Sequence, residues 1–175
     1  SQYAQQAELV GVSFAVEPHR AAYVPLAHSY MGVPQQLDRD QVLAQLKPLL
    51  EDPARPKLAQ NAKYDINVLA HYGVEVRGMA FDSMLESYVL DSTATRHDMD
   101  SLALKYLGIG TTRFEDIAGK GAKQLTFDQI ALEQAAPYAA EDADLTLRLH
   151  RTLWPRPQET GALASVFRDI EMPLM

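Results

Sequence analysis

Residues 8–26 read ELVGVSFAVEPHRAAYVPL. Two apolar runs, Glu8–Val16 and Ala21–Leu26, flank a turn around Pro18, the pattern of two strands joined as a hairpin-like pair. Downstream the pattern becomes helical. Asp38 opens a helix with Gln41 three residues on as its capping-box partner, and Asp52, Pro53 and Pro56 stop it after about Glu51. Lys57–Gln60 reads as a short strand, and Asn61 leads into a helix that Gly73 ends. Further helices are expected over Asp82–Leu90 and over Met99–Leu107, the latter stopped by Gly108. Residues 108–124, rich in Gly, Thr and Lys, are the loosest part. Helix returns at Thr126, restarts with Pro137 as a first-turn proline and runs to about Leu153. Pro155 and Pro157 break it before a last amphipathic stretch, Leu163–Met175. Strands first and helices after predict an α/β or α+β domain.

The 175 residues suffice for one domain with a sizeable core. Cysteine is absent, which excludes disulfides, thiolate metal sites and cysteine nucleophiles and suits a reducing cytoplasm. No stretch approaches the roughly 20 apolar residues of a membrane span, and the N-terminus lacks the basic and apolar regions of a secretory signal. The formal charge of −7 argues against a broad basic face gripping nucleic acid. It leaves room for a nuclease whose acidic centre is neutralised by divalent ions.

Two aspartates fall on apolar stripes. Asp65, Val68, Leu69 and Tyr72 lie at i, i+3, i+4 and i+7, opposite Lys63, Asn67 and His71, so Asp65 is expected on the core side of its helix. Tyr138, Asp142, Leu145, Leu149 and Leu153 share a second stripe. Glu141, Asp144, Arg148 and Arg151 form the polar face, with Asp144 and Arg148 an ordinary i, i+4 ion pair. A carboxylate taken from water must be paired, capped or metal-bound. Asp65 lies near a helix N-terminus, where acids are favoured in any case, and a cation from elsewhere would satisfy Asp142. The alternative is that both are oxygen ligands of Mg²⁺ or Mn²⁺, since paired ions roughly 3.5–4 Å apart drive in-line phosphodiester hydrolysis.

Local sequence favours the second reading. QNAKYD at Gln60–Asp65 resembles the second exonuclease motif of family A DNA polymerases, and YAAEDAD at Tyr138–Asp144 resembles the third. FDSMLESYVLDS, RHDMDSLA, FEDIAGKG and QLTFDQIALE follow the same family in order, so the resemblance spans essentially the whole chain. It implies a ribonuclease H-like 3′–5′ exonuclease fold, a mixed sheet flanked by helices, in a bacterial, cytoplasmic protein. The implied chemistry is two-metal proofreading of a single-stranded or frayed 3′ end of DNA. By the same resemblance Asp65 and Asp142 would be metal ligands and Tyr138 would orient the attacking water. Gln60, Asn61 and Tyr64 would contact the terminal nucleotides, and Arg96 and Phe127 would hold the strand; simple packing or surface chemistry is the alternative for each. Lys120 and Lys123 are in reach of phosphate or simply solvated. Residues 1–154 would form the exonuclease domain, and 155–175 a link into the polymerase domain of the same parent chain.

The chain departs from the family in one place. The family's first motif, Asp-x-Glu on a central strand, would precede Leu9, but only SQYAQQAE stands there, and Glu8 aligns with the following strand. Both ends look cut, the first strand of the sheet is expected to be missing, and the chain as it stands is expected to have little nuclease activity. A ribonuclease D-like exoribonuclease and a catalytically silent exonuclease-like scaffold are the rival readings.

Overall fold

A computed structural model describes residues 8–60, 62–82 and 99–154. The hairpin of the opening stretch is present: β1 (Gly11–Glu17) and β2 (Arg20–Pro25) pair antiparallel, with Glu17 opposite Arg20 across Pro18–His19. His19 closes this tight turn at φ 65°. Beyond the strands the pair continues as irregular chain, where the Val10 carbonyl accepts from the amides of Leu26 and Ala27.

Helix α1 (Arg39–Leu50) begins where Asp38 predicts, its Oδ1 accepting from the Gln41 amide at 2.9 Å. β3 (Lys57–Ala59), α2 (Ala62–His71) and β4 (Met79–Asp82) follow. β3 and β4 are parallel, so α2 is the crossover of a β-α-β unit. Gly78, at φ +75°, lets β4 enter beneath the 52–55 turn; a Cβ there would lie 2.8 Å from the Arg55 carbonyl oxygen. Asp82 therefore ends a strand where a helix was expected to begin. The apolar run Met79–Phe81 is too short for periodicity to separate the two. The rest of the expected helix, and Arg96, lie outside the described residues, as do Asn61 and residues 155–175.

α3 (Met99–Leu102) runs on as a π-helical turn, Ala103–Leu107, and Gly108 at φ 69° ends it. The segment expected to be loosest contains a short helix, α4 (Phe114–Ala118), and a 3₁₀ turn at Gly121–Lys123. The helix expected from Thr126 is instead a 3₁₀ turn, Phe127–Gln129, held by the Thr126–Gln129 box. α5 spans Leu132–Leu153. Pro137 is inside α5 rather than at its first turn; its missing N–H leaves the Glu133 carbonyl without its helical donor, one bond lost in an otherwise continuous helix.

Among the described residues the sheet is divided into two pairs, antiparallel β1–β2 and parallel β3–β4. β1, β2 and β3 all pack against α5. One core cluster joins Leu9, Leu26, Leu43 and Val68; a second joins Leu102, Leu149 and Leu153; a third joins Ala118, Ile130 and Ala135.

Candidate functional site

The amphipathic sequence of α5 decides which acids are withdrawn from water. Leu145, Leu149 and Leu153 are fully buried on the expected stripe, and Tyr138 and Asp142 are half-buried at its margin. Burial, then the charges of Asp100 and Glu141, pushes the Asp142 carboxyl up to about 7. Both neighbours are tied to one loop: Thr111 Oγ1 donates to Asp100 Oδ1 at 2.5 Å, and the Thr112 amide donates to Glu141 Oε1 at 3.0 Å.

Tyr138 stands one turn before Asp142. Burial first, then Asp142, Asp100 and Glu141, pushes its phenol up to about 12, so it remains a protonated donor at neutral pH. Its ring centroid lies 6.2 Å from that of Phe114 and 6.1 Å from that of Phe127. Phe127 also meets Tyr23 and His28, whose Nε2 is 2.7 Å from the Tyr23 hydroxyl. Burial holds the His28 imidazole below its ordinary value, against opposing contributions from the Ile130 and Asp128 backbone and the Asp128 charge. Phe127 is thus built into a packed aromatic group that abuts Tyr138.

Two expectations about these acids need correction. Asp144 is not a solvated contrast to Asp142: its side chain is only 14% exposed, and besides Arg148 at 3.4 Å it accepts the His19 amide. The hairpin turn reaches back over α5, which sequence spacing cannot show. Asp65 occupies the predicted stripe, with Val68 buried and Leu69 and Tyr72 packed on the core, but Asp65 itself is exposed because the stripe leaves the core at its first turn. Withdrawal of its carboxyl from water by the atoms packed around it, then the charge of Asp82, still raises it to about 6.

Asp65 and Asp142 offer oxygen only, and among the described residues neither is ion-paired to a cation. Such donors, made costly to ionise by desolvation and then by neighbouring acids, fit a hard divalent cation. The charges felt by each come from separate neighbours, Asp82 for one and Asp100 with Glu141 for the other. No set of three His, Asp or Glu among the described residues is gathered as a ligand cluster. Gln60 is half-buried after β3, Tyr64 is 47% exposed on α2, and Lys120 pairs with Glu115 at 3.3 Å. Asp82, Asp100 and Phe114 were missed by sequence reasoning. Only the acid closing the MAFD run and the acid in RHDMD hinted at the first two.

A family model described as 3′–5′ exonuclease matches residues 1–158. The chain belongs to that family. The exonuclease chain is 73% identical to DNA polymerase I of Pseudomonas aeruginosa over 98% of its own length, and spans 19% of that protein. Among solved structures it resembles one described as the POL domain of Pol1 from M. smegmatis in complex with DNA primer-template and dNTP. That match has a TM-score of 0.62 at 21% identity, covering 98% of this chain and 28% of the other. A second, the apo form of a nuclease, gives a TM-score of 0.63 at 21% identity over 94% of this chain and 73% of the other. These likenesses support the expected ribonuclease H-like exonuclease fold. No helix among the described residues is long and apolar enough to cross a membrane.

Proposed function

We propose that the exonuclease chain removes the 3′-terminal nucleotide of single-stranded or frayed DNA as a 5′-monophosphate, using two Mg²⁺ or Mn²⁺ ions, as the proofreading part of a bacterial, cytoplasmic DNA polymerase I. The observation that carries the reading is the raised carboxyl of Asp142, ion-paired to no cation among the described residues, one helical turn from the protonated phenol of Tyr138. The ions, when bound, supply the Lewis acidity that phosphodiester hydrolysis requires. Asp65 and Asp142 would hold them through their carboxylate oxygens. Tyr138 orients the attacking water by hydrogen bond; a phenol raised to about 12 does not act as the base. Gln60, Asn61 and Tyr64 receive the terminal nucleotides, and Arg96 and Phe127 steady the strand. Residues 155–175 lead into the polymerase domain, which binds the duplex. The acidic exonuclease chain needs only a few stacking and phosphate contacts with a single strand.

Tyr138→Phe tests the water-orienting role. The single-turnover rate is expected to fall by roughly tenfold to a hundredfold, the worth of one hydrogen bond to a charged group, with unchanged melting temperature and strand affinity. An unchanged rate would remove Tyr138 from the mechanism.

Release of mononucleotides from 3′-labelled single-stranded DNA in Mn²⁺ tests the function itself. A protein of these 175 residues alone is expected to release little, and one extended upstream by an Asp-x-Glu strand to be active. Faster hydrolysis of RNA of the same sequence would favour the ribonuclease D-like reading. An extended protein that stays silent would favour the scaffold.

A further inference from the structure

Asp82 is an acid that the proposed chemistry leaves unused, and it is the most enclosed carboxyl among the described residues at 1% exposure. It ends β4, directly across the parallel pair from Ala59 of β3. Three residues beyond Ala59, α2 begins at Ala62, itself fully buried. Asp82 Oδ2 accepts the Ala62 amide at 2.6 Å. That amide is one of the N-terminal donors that an α-helix cannot satisfy internally, and a carboxylate at this end is also favoured by the helix dipole. This acceptor arrives from 20 residues away through the β-α-β crossover.

The same first turn of α2 carries Tyr64 and Asp65, and Gln60 precedes it. At 1.5 Å per residue, Asp65 lies only about 4.5 Å along the helix axis from Ala62, within one rigid turn. A ligand carboxylate must be held within roughly 0.5 Å of its working position. Removing the carboxylate would leave the buried Ala62 donor without this acceptor, so the first turn of α2 depends on it. We propose that Asp82 is a positioning residue: by clamping the Ala62 amide it fixes the first turn of α2 against β4 and so sets where Asp65 is presented.

The inference rests on the reading of Asp65 as a metal ligand, and its test separates the two. Asp82→Ala and the conservative Asp82→Asn, which keeps an acceptor oxygen, are compared in a full-length protein that carries the upstream Asp-x-Glu strand. Two quantities are read: hydrogen exchange at the Ala62 amide, and the Mn²⁺ concentration giving half-maximal release of 3′ nucleotides. Asp82→Ala is expected to raise both by about tenfold, the loss of a charge-assisted hydrogen bond. Asp82→Asn is expected to recover most of each, with the amides of Leu145 and Leu149 as slow as in the wild type. Faster Ala62 exchange with unchanged Mn²⁺ dependence would overturn the positioning role, as would faster exchange throughout α5 in both variants. A wild-type protein inert in Mn²⁺ would instead sink the nuclease reading, and Ala62 exchange would then decide the clamp by itself.

Discussion

Asp142→Asn, in a protein extended upstream by an Asp-x-Glu strand, is expected to slow release of 3′ nucleotides by about a thousandfold, the several kcal/mol that one metal-binding carboxylate contributes, while raising the melting temperature of the metal-free protein at pH 8. The two effects have one cause. Folding moves this carboxyl from 3.8 to about 7, chiefly by burial and then by Asp100 and Glu141. The folded state therefore binds the proton more tightly than the unfolded chain. The stabilisation from that proton is complete below about pH 4 and is lost as pH rises toward 7. An asparagine keeps the shape and never ionises. The gain at pH 8 has a ceiling of about 4 kcal/mol, and a half-buried group will deliver less. At pH 4 the variant and the wild type should melt together. Asp65, raised in the same direction by desolvation of its carboxyl and then by Asp82, remains in the variant and leaves it some of the same pH dependence. Mn²⁺ acts oppositely, stabilising the wild type by mass action and the variant far less. Melting curves at both pH values, with and without Mn²⁺, decide the matter. A variant less stable than wild type at every pH would make Asp142 a structural residue.

Leu149→Ala should lower unfolding free energy by roughly 3–5 kcal/mol, the range for a large aliphatic side chain removed from a packed core. Leu149 has no exposed surface and meets Leu102 and Leu153, with Met99, Tyr106 and Leu107 packed around them. This cluster is the joint between α5, which carries Tyr138 and Asp142, and α3, which carries Asp100. The urea midpoint should fall by roughly 1.5–2.5 M at the usual slope for a domain of this size. Leu149→Met, which keeps the volume, should cost less than about 1.5 kcal/mol. A loss under about 1 kcal/mol for the alanine variant would show that the two helices are held together elsewhere.

Elements whose signals lie within a few residues of chain are legible before any fold is known. The Val-rich runs about Pro18 make the hairpin, Asp38 opens α1, and Gly108 ends the helix that starts at Met99. The 3.6-residue repeat of Leu145, Leu149 and Leu153 set which side of α5 is buried, and with it that Asp142 leaves bulk water. Pattern failed where an element is shorter than its own period, as in MAFD, or where a proline's place depends on how far upstream the helix begins, as with Pro137. What surrounds each acid depends on packing between elements far apart in the chain. Asp100 reaches Asp142 because α3 packs on α5 through Leu102. Asp144 is enclosed because the Pro18–His19 turn folds back onto it. Asp65 stays open because its stripe runs off the core before it is covered. Asp82 became the cap of α2 because a parallel crossover brings the end of β4 beside the start of a helix 20 residues earlier in the chain. Electrostatic neighbourhood is a property of contacts distant in sequence, and no spacing rule within one helix contains it.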